Sequence, residues 1–162
     1  MIEDVPLPNT EDPDAAPFWQ HALRGELAVQ RCSSCHALRN PPRPMCPACN
    51  SLELTWEVLS GRGRIWSFVV PHPPLLPAFM PVAPYNVIVV EAEEDPSIRF
   101  VGNLVAAPGA PINSVDPATI AIGQEVVVAF EEVADDVALP RFVRQQRHGR
   151  RGRATLPPRA HA

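Results

Sequence analysis

The sequence predicts a mainly β protein: a short N-terminal helix, a metal-nucleated ribbon, then a five-stranded barrel of the OB type. Three observations carry this. All four cysteines fall within eighteen residues, as Cys32-Ser-Ser-Cys35 and Cys46-Pro-Ala-Cys49 with ten residues between the pairs. That spacing places four thiolates on one ion. Twenty-one prolines in 162 residues oppose long helices and favour short strands joined by rigid turns. Beyond residue 63 a series of short apolar runs alternates with turn signals.

Each element follows in chain order. Residues 1–12 are polar, acidic and proline-containing, an extended lead-in. The stretch from Asp14 to Gly25 reads as a helix with Asp14 as N-cap, Pro17 in the first turn and Gly25 as the stop. Phe18 and Ala22, with Trp19 and Leu23, give it an apolar face. A helix this short must dock on something. Leu27–Arg31 is a strand entering the first cysteine knuckle, and Leu52–Trp56 a strand leaving the second. Asn40-Pro-Pro-Arg-Pro44 between them is a stiff loop. The runs Arg64–Val70, Tyr85–Glu91, Ile98–Val105, Glu125–Glu131 and Leu139–Val143 then supply five strands, the first carrying Trp66, Phe68 and Val70 on one face. Runs apolar on both faces suit a closed barrel with something packed outside it. The organisation expected is therefore a lead-in and helix at 1–26, a ribbon at 27–58, a barrel domain at 59–145 and a disordered arginine-rich tail at 146–162.

The four sulfurs point to structural zinc. Thiolates are soft ligands, and the two-residue spacing turns backbone amides inside each knuckle toward them. With Cys32, Cys35, Cys46 and Cys49 all bound, no coordination position remains for water or substrate, so such an ion holds a fold and does no Lewis-acid chemistry. Cys32-Ser-Ser-Cys35-His36 also satisfies the c-type haem motif, but that leaves the second pair unexplained and requires export. Iron is the other alternative, since Cys46-Pro-Ala-Cys49 resembles half of a rubredoxin centre. His36 and Asn50 stand after the two pairs, where rubredoxins prefer Gly.

No apolar run approaches the length of a membrane span, and the acidic start lacks an export signal, which points to a cytoplasmic protein. Residues 1–140 hold seven arginines and all eighteen acids; residues 141–162 hold seven arginines and no acid. An OB barrel with a basic tail admits a nucleic-acid-binding reading. The acidic body lacks the basic strand face that reading needs. No catalytic constellation assembles from His21, His36, His72, His148 and His161, and the acid pairs Glu93-Glu94, Glu131-Glu132 and Asp135-Asp136 read as solvated turns. The loop from Pro71 to Pro84 stands out, with six prolines in fourteen residues and the apolar side chains Leu75, Leu76, Phe79, Met80 and Val82. A loop this long is uncommon without a task, and its composition predicts an exposed patch for a ligand or partner. His72 lies at its entrance, and packing or an interface suits it better than proton transfer.

Taken in order, Phe18-Trp19, Gln30-Arg31-Cys32-x-x-Cys35, Pro41-Pro42-Arg43, Cys46-Pro47-x-Cys49, Trp56, Ser60-Gly61-x-Gly63, Ser67-Phe68 with Val70-x-His72, Pro84-Tyr85, Gly102-Asn103-Leu104-Val105, Ile122-Gly123-x-x-Val126 and Leu139-Pro140-x-Phe142 closely resemble the acyl-CoA-associated OB-fold family with an N-terminal rubredoxin-like zinc ribbon. The resemblance runs from about residue 15 to 144. It implies that the four cysteines are zinc ligands. It also implies a non-catalytic accessory subunit bound to a thiolase-like enzyme (a thiolase or aldolase acting on acyl-CoA, in lipid or steroid side-chain degradation) in a hetero-oligomer. By the same analogy the 71–84 loop and the bordering barrel face meet the partner and the acyl-CoA, with His72, Phe79, Tyr85 and Asn103 as contact residues and arginines near 141–147 toward CoA phosphates. His36 departs from the family's frequent Gly.

Overall fold

The computed structural model describes residues 5–145; the tail expected to be disordered lies outside them. One helix, α1 (Ala16–Leu23), precedes the strands. Pro17 occupies its first turn, and Gly25 ends it with φ +74°, a conformation glycine adopts without steric cost. Asp14 is not the cap. Ala15 holds that position without a side-chain bond. The chain enters through a turn in which the Asp12 carbonyl accepts from the amides of Ala15 (3.0 Å) and Ala16 (2.7 Å), so backbone does the work expected of the Asp14 carboxylate.

The ribbon is a three-stranded antiparallel sheet in the order β2-β1-β3, from β1 (Ala28–Cys32), β2 (Leu38–Arg39) and β3 (Leu54–Val58). The two-residue β2 is too short to show any periodicity in the sequence. Five further strands form the barrel: β4 (Arg62–Val69), β5 (Val87–Ala92), β6 (Arg99–Leu104), β7 (Glu125–Ala134) and β8 (Val137–Arg144). They close in the order β4-β5-β6-β8-β7, with β4 pairing β7 and β6 running parallel to β8. This is the five-stranded OB barrel anticipated.

Closure depends on Gly63. It pairs with Ala92 of β5 on one side and Val126 of β7 on the other. A Cβ there would lie 2.2 Å from the Glu91 carbonyl oxygen and 2.7 Å from Val90 Cγ1. Two residues on, the register slips between Ile65 and Ser67. This bulge overturns the simple alternation expected of β4. Ile65 is buried and Trp66 faces outward at 47% exposure, while Phe68 packs against the core.

The barrel core contains Ile65, Ile88, Val90, Phe100, Val126 and Phe142, and it continues into Leu27 and Val29 of the ribbon with Phe18 of α1 packed against it. Burial of this size dominates the folding energy, at roughly 25 cal/mol per Å² of apolar surface. Because Leu27 and Val29, at the start of the ribbon, lie in the barrel core, helix, ribbon and barrel stand on one shared interior. Asn86 is the buried polar pin of the far end. Its Nδ2 donates to the Leu104 carbonyl (2.9 Å) and its Oδ1 accepts from the Leu104 amide (2.7 Å). Asn103 donates to the Asn86 carbonyl, and Arg141 joins Asn103 (2.6 Å) to Glu131 (2.7 Å).

Candidate metal centre and docking face

The two knuckles are copies of one turn. The Cys32 amide donates to the Ala37 carbonyl (3.0 Å) and the His36 amide to the Cys32 carbonyl (3.0 Å); Cys46–Ser51 (2.9 Å) and Asn50–Cys46 (2.8 Å) repeat the pattern. His36 and Asn50 both take left-handed backbone, φ 62° and 59°. Those are the positions where Gly is usual, and Asn and His are among the residues that tolerate the region best. The His36 substitution therefore leaves the turn intact.

All four sulfurs lie within 4.8 Å of one another. Cys32 Sγ is 3.5 Å from Cys49 Sγ, and Cys35 Sγ is 3.6 Å from Cys46 Sγ. Disulfide sulfurs sit about 2.0 Å apart, and all four cysteines are free. Tetrahedral zinc–sulfur bonds of about 2.3 Å set neighbouring sulfurs about 3.8 Å apart, so the quartet fits that ion. Its electrostatics agree. The amides of Cys35 and Ser34 pull the Cys32 thiol down to about 6, and those of Ala48 and Cys49 lower Cys46. The Ser51 amide also favours the Cys49 thiolate, yet the neighbouring sulfurs of Cys35 and Cys32 outweigh it and push that thiol up to about 12. Four thiolates this close need a cation to be anionic together. Cys32 and Cys46 are buried, Cys35 and Cys49 exposed. The four protein ligands leave no open position on the ion.

The second feature is an apolar surface. The loop from β4 to β5 carries a 3₁₀ turn, Pro77–Val82, with Leu76 58% and Met80 47% exposed. Next to it the outer face of β4, β5 and β6 presents Trp66, Val69 and Val101, the last 62% exposed. Val101 stands opposite Val89, which stands opposite Ser67, so one register row crosses the three strands, with Trp66 and Val69 flanking Ser67 on β4. Arg99 lies over the Trp66 ring, 3.7 Å from its centre. In OB barrels the second and third strands with the loop before them form the usual ligand face.

The four suggested contact residues fall at this end of the barrel in different settings. His72 is exposed. Phe79 is half-buried and stacks on Tyr85, ring centres 5.5 Å apart. Tyr85 and Asn103 are buried, and the Asn103 amide is engaged with Asn86 and Arg141. Sequence reasoning missed Trp66, Arg99 and Val101 as one surface because the bulge in β4 decides which way Trp66 faces.

Comparison with known proteins matches two models to adjoining segments: the ChsH2 rubredoxin-like zinc ribbon domain over residues 19–55, and the ChsH2 C-terminal OB-fold domain over 56–131. A probable enoyl-CoA hydratase alpha subunit of Thermomonospora curvata is 37% identical over 126 residues, 77% of this chain and 36% of that protein. The 3-oxo-4,17-pregnadiene-20-carboxyl-CoA hydratase alpha subunit of Mycobacterium tuberculosis is 34% identical, over 80% of this chain and 40% of that protein. The chain thus spans well under half of these two relatives. A DUF35 domain-containing scaffold protein of Methanothermobacter thermautotrophicus is 33% identical over 73% of this chain and 82% of its own length. Among solved structures, a chain of the Ltp2-ChsH2(DUF35) aldolase superposes with TM-score 0.71 at 35% identity, covering 86% of this chain and 98% of that one. The four-cysteine site is accordingly a structural zinc site of rubredoxin-like type, and the chain belongs to the ChsH2/DUF35 family, a zinc ribbon followed by an OB fold.

Proposed function

We propose that this chain is a non-catalytic accessory subunit that docks on a thiolase-like enzyme and helps bind or channel its acyl-CoA. The observation that carries the reading is the set of exposed apolar side chains Leu76, Met80, Val69, Trp66 and Val101 on the β4–β5 loop and the outer face of the strands beside it. Exposed apolar patches of this kind mark partner or ligand sites. The relatives agree in kind: one is a chain of an aldolase, two are alpha subunits of acyl-CoA hydratases, and others are scaffold proteins. The zinc, saturated by protein sulfur, holds the two knuckles of the ribbon together and leaves chemistry to the partner.

In this reading His72 and Phe79 border the contact surface, Tyr85 supports the Phe79 ring, and Asn103 keeps β6 in place behind it. The acyl group is of lipid or steroid side-chain type, by analogy with the mycobacterial hydratase subunit. Among the described residues no helix is long and apolar enough to cross a membrane. We place the complex in the cytoplasm, where reducing conditions keep the zinc thiolates intact. Nucleic acid is a poor occupant for this face, which offers valines and an indole where a strand binder needs a basic track.

Co-expression with a thiolase-fold protein tests the proposal. The expected result is a stable complex, lost in Leu76→Asp/Met80→Asp while zinc content and melting temperature hold. A complex indifferent to both substitutions, or a chain that binds single-stranded nucleic acid and no such enzyme, overturns it.

A further inference from the structure

Arg39 is the one buried charge of the described residues that nothing answers. Its side chain is 5% exposed, and none of its three guanidinium nitrogens has a hydrogen-bond partner among the described residues. Five other arginines each pair with a glutamate. An arginine stays charged at any pH a folded protein meets, so the usual escape of a buried ionisable group, neutralisation, is closed to it. An uncompensated buried charge costs several kcal/mol.

The neighbours supply no counter-charge. Gln30, opposite Arg39 across β1 and β2, has its side-chain oxygen occupied by the Arg43 amide (2.9 Å). Glu57, on the next strand, is engaged by Arg31 through Nη2 (2.6 Å). More positive charge gathers here instead. Arg43 follows Arg39 by four residues, and Asn40 between them donates to the Arg99 carbonyl of β6 (2.5 Å), joining the loop to the barrel. Neither Arg43 nor Arg99 makes an ion pair among the described residues; Arg99 rests on Trp66. Arg39, Arg43 and Arg99, none with a carboxylate partner among the described residues, thus come from adjoining segments at the seam between ribbon and barrel, in a chain of net charge −4.

We infer that this seam is an oxyanion site, in which Arg39 receives a phosphoryl or carboxylate group and Arg43 and Arg99 flank it. A planar guanidinium matches the two oxygens of either group in a bidentate pair. Phosphate on a small molecule and carboxylate on a partner's side chain share this chemistry, and the experiment separates them.

Thermal melts of the zinc-loaded full chain are recorded against inorganic phosphate, acetate and chloride at matched ionic strength. The expected result is a saturable rise in melting temperature with an oxyanion and none with chloride, since a ligand that binds only the folded state stabilises it in proportion to the logarithm of its occupancy. Saturation by phosphate alone assigns a phosphoryl ligand; saturation by acetate assigns a carboxylate. Arg39→Met should abolish the rise while melting at or above wild type in chloride, because an apolar side chain removes an unanswered charge. Arg43→Ser, which changes an exposed residue and spares folding, should weaken the oxyanion about tenfold. A wild-type chain without saturable response overturns the site, as does an equal response in Arg43→Ser and Arg39→Met.

Discussion

Gly63→Ala is expected to strike the barrel at its closure. The new Cβ meets the Glu91 carbonyl oxygen at 2.2 Å, where a carbon–oxygen contact normally sits at about 3.3 Å. Backbone must therefore move by about 1 Å, because the atom in the way belongs to β5 rather than to a flexible side-chain tip. Gly63 is also held by β7 through its pairing with Val126, so relief on one side strains the other. Overpacking costs about 1–3 kcal/mol and each disturbed ladder bond about 1 more. A total near 3 kcal/mol lowers the melting temperature of a chain this size by about 6–12 °C. Gly109→Ala is the control. It has nothing within 4 Å and only its φ of +76° to offend, a strain of about 1–2 kcal/mol. Calorimetric melts of both zinc-loaded variants decide the matter. A Gly63→Ala protein that melts with wild type, or above Gly109→Ala, refutes the steric account of closure.

Cys46→Ser should abolish zinc binding and lower the melting temperature of the whole chain, barrel included, because Leu27 and Val29 of the ribbon strand belong to the barrel core. Metal analysis and the same melts check it, and unchanged zinc with an unchanged melt would contradict it. Asn86→Ala leaves the Leu104 amide and carbonyl without their side-chain partner in a fully buried setting. A loss of about 2–4 kcal/mol in urea denaturation is expected. Glu57 is held below its ordinary 4.5 chiefly by its hydrogen bonds with Arg31. A lowered carboxylate contributes stability that is complete above the unfolded value and lost as pH falls through the folded one. Glu57→Gln should therefore flatten the acid side of the stability–pH curve just below 4.5. With 36% of the side chain exposed, the increment stays under about 1 kcal/mol. An unaltered acid limb would show the pair to be idle.

The metal site was legible because its information is local. Four cysteines at two-residue spacings specify a turn and a ligand set for one metal ion whatever surrounds them. Gly25 and Pro17 marked the helix for the same reason, and five apolar runs sufficed to count barrel strands. Where a side chain points in three dimensions was less legible. Alternation placed Trp66 with Phe68, and a one-residue bulge separated them. Asp14 looked like a cap until the Asp12 carbonyl took the amides. The two residues of β2 carry no periodic signal, and they hold Arg39, whose isolation depends on strands and a loop that meet only on folding.

The sequence by itself determined the four-sulfur ligand set and the number of barrel strands, since ligand spacing and hydrophobic period act over a few neighbouring residues. Closure through Gly63, the outward turn of Trp66, and the burial of Arg39 without a partner were decided by tertiary packing. They join residues dozens of positions apart, and no short-range pattern encodes the register that brings them together.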